Sequence, residues 1–129
     1  MRETVNPRAS AFPVRLHAMP RASASHTDPV FRIDKFVVPA EALPEVVAQI
    51  KRVHAVLDGM PGCLRHRVLS QTGGSGEFNV INYIEWADAD AIAAAIPMVR
   101  QLFEREGFDP TEFVKRFGVR ADMGFYGEV

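Results

Sequence analysis

Four side chains combine a chemical type with a setting in which they could do chemistry: Asn82, Trp86, His54 and His66. Asn82 sits in NVINYIEW (79–86), which otherwise reads as a buried strand. Strand side chains alternate between faces, so Phe78, Val80, Asn82, Ile84 and Trp86 share one face and Asn79, Ile81, Tyr83 and Glu85 the other. A primary amide among such neighbours costs on the order of 1–3 kcal/mol unless its donors and acceptor find partners. Those partners are either backbone at a strand irregularity or a ligand. Trp86 is either a large core residue or the flat apolar wall of a pocket that holds the amide. Asn79, on the opposite face, reads as an edge or interface residue.

His54 falls on the apolar stripe of a helix and should face the sheet. It is either a satisfied core histidine or, with a pKa near neutrality, the best general base in the chain. His66, in CLRHRVLSQT (63–72), lies on the face of Leu64 and Val68 and is the second choice. His17 and His26 matter only if the N-terminal segment folds over a pocket.

The elements that must position these groups follow from periodicity. FRIDKFVV (31–38) is β-rich and closed by Pro39. Leu43, Val46, Val47, Ile50, Val53, His54 and Leu57 recur at helical spacing, predicting a helix over 41–58 that stops at Gly59 and Pro61-Gly62. Strands at 63–72 and 77–86, joined by GGSG (73–76), should pair as a hairpin. A second helix runs over 88–106, with Asp88 at its start, Gly107 at its end and Pro97 expected to kink or divide it. Asp109-Pro110-Thr111-Glu112 opens a short helix to about Phe117, and 119–126 alternates as a last strand. The order β-α-β-β-α-β predicts an α+β, ferredoxin-like plait: an antiparallel sheet with both main helices on one face. The other face keeps apolar side chains, and a homodimer closed sheet against sheet would cover them.

Composition narrows the function. The 129 residues make one domain, with 15 basic against 16 acidic side chains and a net charge of −1, so a nucleic acid partner is disfavoured. The single cysteine, Cys63, fits a reducing cytoplasm, and no apolar run is long enough to span a membrane. No metal-ligand spacing occurs, and GGSG joins two strands rather than opening a helix, so it is no phosphate cradle. Residues 1–29, with four prolines and scattered Ser, Ala and Arg, read as an extended or flexible arm ahead of a domain over 30–129.

Over about residues 31–127 the sequence resembles the antibiotic biosynthesis monooxygenase (ABM) domain of the dimeric α+β barrel superfamily. The resemblance rests on DKFVVPAE, MPG (60–62), the Gly-rich hairpin turn, NYIEW (82–86) followed by ADADA, and EGFDP (106–110). Cofactor-free oxygenases of that family carry an asparagine four residues before a tryptophan on the third strand, as Asn82 and Trp86 stand here. The resemblance implies a polycyclic aromatic, anthrone or quinol-type substrate, deprotonated to a carbanion that passes an electron to O2, with no metal or flavin. Asn82 would hold the oxyanion, Trp86 wall the pocket and His54 take the proton. His66, Ile50, Leu57, Phe36 and Tyr126 are expected to line the substrate site. Haem is disfavoured, because the haem-degrading branch places a tryptophan and a ligating histidine on the second main helix and 88–106 has neither. A non-catalytic ligand-binding or stress-response protein, and an oxygen-independent cyclase or isomerase, are the alternatives on the same fold.

Overall fold

The computed structural model describes residues 27–129. Most of the N-terminal arm, including His17 and His26, lies outside the described residues. Strand β1 (Val30–Val37) leads through a 3-10 turn (Ala40–Ala42) into helix α1 (Leu43–Leu57). The helix thus begins at Leu43, the first residue of its apolar stripe and two residues after the predicted start at 41. Pro44 occupies the first turn, where its missing N–H breaks no backbone bond. Strands β2 (Cys63–Ser70) and β3 (Val80–Trp86) follow, then α2 (Ala89–Glu106), α3 (Pro110–Arg116) and β4 (Arg120–Tyr126). The four strands form one antiparallel sheet in the order β2-β3-β1-β4, the ferredoxin-like arrangement.

The caps were legible in the sequence. Asp88 accepts from the Ala91 N–H at 2.8 Å and Asp109 from the Thr111 N–H at 3.0 Å, while Gly107 ends α2 in the left-handed region at φ 64°. Pro97 does not divide α2, which runs unbroken to Glu106. Its cost is met by the buried stripe Ile92, Ala95, Val99 and Phe103 that holds the helix on the sheet.

Two further expectations change. The β2–β3 connection is longer than GGSG: the ladder ends at Ser70 opposite Val80, and Gln71 spans the loop by a side-chain bond to the Gly76 carbonyl at 2.8 Å. Within β2 a bulge lets Cys63 face Trp86 and Arg65 face Glu85. The bulge resets the alternation, so Leu64 is exposed while Cys63, not Leu64, shares the inner face with His66 and Val68. Asn79 is no edge residue. Its amide exchanges two 2.8 Å hydrogen bonds with the backbone of Val38 and so adds a side-chain rung to the β1–β3 ladder.

Burial alternates strictly along β1 and β3. The covered face packs into two apolar clusters. One gathers Leu57, Ile84, Trp86 and the buried stripe of α2; the other gathers Phe36, Val46, Val80, Val114 and Val119. Between them runs a line of polar side chains. No helix among the described residues is long and apolar enough to cross a membrane.

Candidate active site

Pairing of the two central strands sets Asp34 directly opposite Asn82, and β2 adds Val68 beside Asn82 and His66 beside Ile84. Helix α1 lowers His54 onto this patch. The result is one continuous hydrogen-bonded chain from the core to the surface. Arg32 Nε donates to both Asp34 oxygens, at 3.1 and 3.2 Å, and Asn82 Nδ2 donates to Asp34 Oδ2 at 2.7 Å. Asn82 Oδ1 contacts His54 Nε2, His54 Nδ1 stands 3.0 Å from His66 Nδ1, and His66 Nε2 stands 2.6 Å from Asp58 Oδ1. Asp34 is 1% exposed, His54 5% and Asn82 8%, whereas the Asp58 side chain is 75% exposed.

The Asp34 carboxylate fixes the amide. A carboxylate oxygen only accepts, so Asn82 must turn its NH2 group to Asp34 and its carbonyl to His54. That carbonyl hydrogen-bonds His54 only while Nε2 carries a proton; in the tautomer with the proton on Nδ1, the bond is open and the Nε2 lone pair is free to accept one. Burial lowers the His54 pKa below its ordinary value, the Asn82 bond pulls it back up, and the neighbouring His66 adds a smaller downward push. His54 is therefore a ring that is costly to charge and easy to deprotonate. Arg32 also donates to Met123 Sδ at 3.5 Å and sits 5.6 Å above the Phe125 ring, so the buried cation has partners beyond Asp34.

Two small cavities flank the chain. The first, about 60 Å3, lies between α1, α3 and the sheet, and its lining includes Phe36, Ile50, His54, Asn82, Phe108 and Phe113. The second, about 70 Å3, lies toward α2 and is lined by Arg32, Asp34, Leu57, Asn82, Trp86 and Phe103 among others. Val53, Asn82 and Ile84 border both and form the partition. The three expected catalytic residues are thus split: His54 faces one cavity, Trp86 the other, and only the Asn82 amide reaches both.

Of the expected lining residues, Phe36 and Ile50 line the first cavity and Leu57 the second. His66 lines neither and stands behind His54. Tyr126 is misplaced: it is 48% exposed, and the alternation of β4 sends it away from the face of Ala121 and Phe125. The sequence reading passed over Asp34, Arg32 and Asp58. The signal for the first two was present in FRIDKFVV, where the alternation applied to Asn82 puts two charges on the same buried face. Among the described residues no cluster of His, Cys, Asp and Glu is arranged to hold a metal ion.

Comparisons with known proteins agree with this architecture. The model of the antibiotic biosynthesis monooxygenase family matches residues 29–95, more than half of the chain. No curated protein matches. A candidate monooxygenase from Shewanella loihica PV-4 superposes with a TM-score of 0.63 at 18% identity, covering 81% of this chain and 98% of its own. SnoaB, a cofactor-independent oxygenase from Streptomyces nogalater, superposes at 0.54 and 24% identity, covering 79% and 94%. A candidate antibiotic biosynthesis monooxygenase from Deinococcus radiodurans gives 0.60 at 16% identity, covering 78% and 92%. At these identities the likeness establishes the fold.

Proposed function

We propose, from the premise that the chain belongs to the antibiotic biosynthesis monooxygenase family, that it oxygenates an enolisable aromatic of the anthrone or quinol type, using O2 and no metal, flavin or haem. The observation that carries this reading is the buried His54–Asn82 couple facing an apolar cavity. With its proton on Nδ1, His54 offers the Nε2 lone pair to a carbon acid. The electron pair left behind spreads onto the substrate oxygen, where the second Asn82 N–H, the one not used by Asp34, can donate. A donor fixed in a dry site stabilises such an oxyanion far better than water does. The carbanion adds to O2, the peroxide takes a proton from His54, and loss of water leaves a carbonyl where a CH2 stood. Helix α2 carries no histidine at all, which supports a site without haem.

Size constrains the substrate. Either cavity is well below the roughly 150 Å3 that admits a benzene. A fused aromatic must therefore push aside Val53 and Ile84 and make the two cavities one, which would bring His54, Asn82 and Trp86 around a single ligand. The open sheet face belongs in the same proposal as a homodimer interface, in a cytoplasmic protein.

The test is oxygen uptake by metal-stripped protein against anthrones, naphthols and quinols. Uptake should fall about a hundredfold or more in Asn82→Ala, the usual cost of a lost oxyanion donor. Uptake unchanged in a folded Asn82→Ala variant would overturn the reading. Substrate conversion without oxygen would favour an isomerase built on the same proton chemistry.

A further inference from the structure

His54 is nearly sealed from water, yet any base must exchange its proton with solvent. Three hydrogen-bond contacts radiate from the two histidine rings: His54 Nε2 to Asn82, Nδ1 to Nδ1 between the rings, and His66 Nε2 to Asp58. Each needs one proton, so the pair is fully bonded with three ring protons, one more than two neutral imidazoles carry. A fourth would set two N–H groups head to head across 3.0 Å.

The geometry points to a proton relay in which His66 and Asp58 act through His54 and connect the sealed site to solvent. The relay role in turnover rests on the oxygenase reading; the exchange pathway does not. In the base form His54 holds Nδ1–H toward His66, and His66 holds Nε2–H toward Asp58. When His54 Nε2 takes a substrate proton, its Nδ1 proton moves to His66 Nδ1, and the His66 Nε2 proton leaves through Asp58 to water. The C–H electron pair stays on the substrate. When Nε2 later gives its proton to the peroxide, each transfer reverses and the base form returns, so the relay closes its cycle without a ring flip.

The surroundings fit this task. The charged groups bearing on the pair are Asp34 from β1 with Arg32 behind it, Asp58 at the end of α1, and Arg67, which donates to the His66 carbonyl at 2.9 Å. Helices α2 and α3 present only apolar side chains to the two cavities, and Gln49 of α1, which lines the first, accepts from Arg52 and has no titratable proton, so the His66 route is the titratable way out. Burial makes a charge on the His54 ring costly, so a proton it takes is better passed on than held. His66 and Asp58 are positioning residues, since neither lines either of the two cavities.

The relay is tested with histidine-labelled protein, by nitrogen NMR of the rings and by the solvent exchange rate of the His54 ring proton. Glutamine can hydrogen-bond but cannot pass a proton from one end to the other. His66→Gln should therefore slow exchange at His54 about tenfold or more, and lower kcat similarly with KM unchanged. Added imidazole should restore both in His66→Gly. Asp58→Asn should have a smaller effect, because water can replace an exposed carboxylate. Wild-type exchange at His54 in a folded His66→Gln variant overturns the relay. Slowed exchange without oxygen uptake on any substrate leaves the relay standing and removes the oxygenase reading.

Discussion

The two faces of the central sheet invert each other's expected composition. On the face covered by helices, β1 and β3 place Arg32, Asp34 and Asn82 where aliphatic side chains would pack most cheaply. On the open face the same strands place Phe31, Ile33, Ile81 and Tyr83, with Phe31 and Tyr83 rings 6.0 Å apart, where polar side chains would do. Charge inside must be partnered, and it is, through a single unbroken chain. Apolar surface outside is best covered, and among the described residues Phe31, Ile33, Ile81 and Tyr83 stay only half-buried. The covered face thus points to chemistry and the open face to a partner.

The largest effect should come from breaking the covered face. Asp34→Ala leaves Arg32 buried without its carboxylate and frees the Asn82 amide to turn, and such a loss costs about 3–5 kcal/mol. Urea unfolding should show it as a lower midpoint. The pair Arg32→Met with Asp34→Leu sharpens the point, because replacing both charges by apolar groups of similar size is often neutral or stabilising. That double variant should lose less stability than Asp34→Ala, the remaining cost being the Asn82 N–H left without its acceptor, and lose turnover, which would separate the site's function from most of its packing.

How much of this could be read from the chain follows from what each residue answers to. Strand and helix positions answer to local period and caps, so Asp88, Asp109 and Gly107 marked boundaries that the structure keeps. Asn82 and His54 stood out because each is a polar group at a position its own element buries. Arg32 and Asp34 obey the same rule, but their meaning depends on pairing β1 with β3, which puts Asp34 opposite Asn82 across 48 residues of sequence. The bulge in β2 was hidden because one extra residue resets the alternation and nothing local announces it, whereas the exposure of Tyr126 follows from the regular alternation of β4 and its unbroken pairing with β1.

A second effect, about 1–3 kcal/mol, should follow from Asn79→Ala, which leaves the Val38 N–H and carbonyl without their side-chain rung. Because Asn79 holds the β1–β3 ladder away from the cavities, its loss should lower the melting temperature while leaving the pH dependence of turnover alone. Asn82→Ala should lower turnover as well as stability, because Asp34 and His54 both lose a buried partner. Two asparagines three residues apart on one chain would then be separable by rate.

A more modest effect is the pH dependence contributed by His54. Its folded pKa lies below the ordinary 6.5, so the unfolded chain binds the proton more readily. Stability from this group is full above about 6.5 and is lost as pH falls from there toward the folded value. Unfolding free energies measured from pH 8 down to 5 should decline more in the wild type than in His54→Gln, and parallel curves would show that the ring pays no burial penalty.

The smallest effect belongs to the open face, and it discriminates most sharply what that face does. Arg65 and Glu85 pair across β2 and β3 at 3.4 Å, with the arginine side chain 58% exposed. In an isolated copy such a pair is worth about 0–1 kcal/mol, so Glu85→Gln should barely shift unfolding at any protein concentration. If a second copy covers this face, the pair is dried and loses its solvent screening. Leaving Arg65 unpartnered in that interface then weakens association, and the variant's melting temperature should drop further as the protein is diluted. A concentration-dependent difference from a substitution that is nearly silent within one chain would therefore identify the apolar side chains around it as an interface.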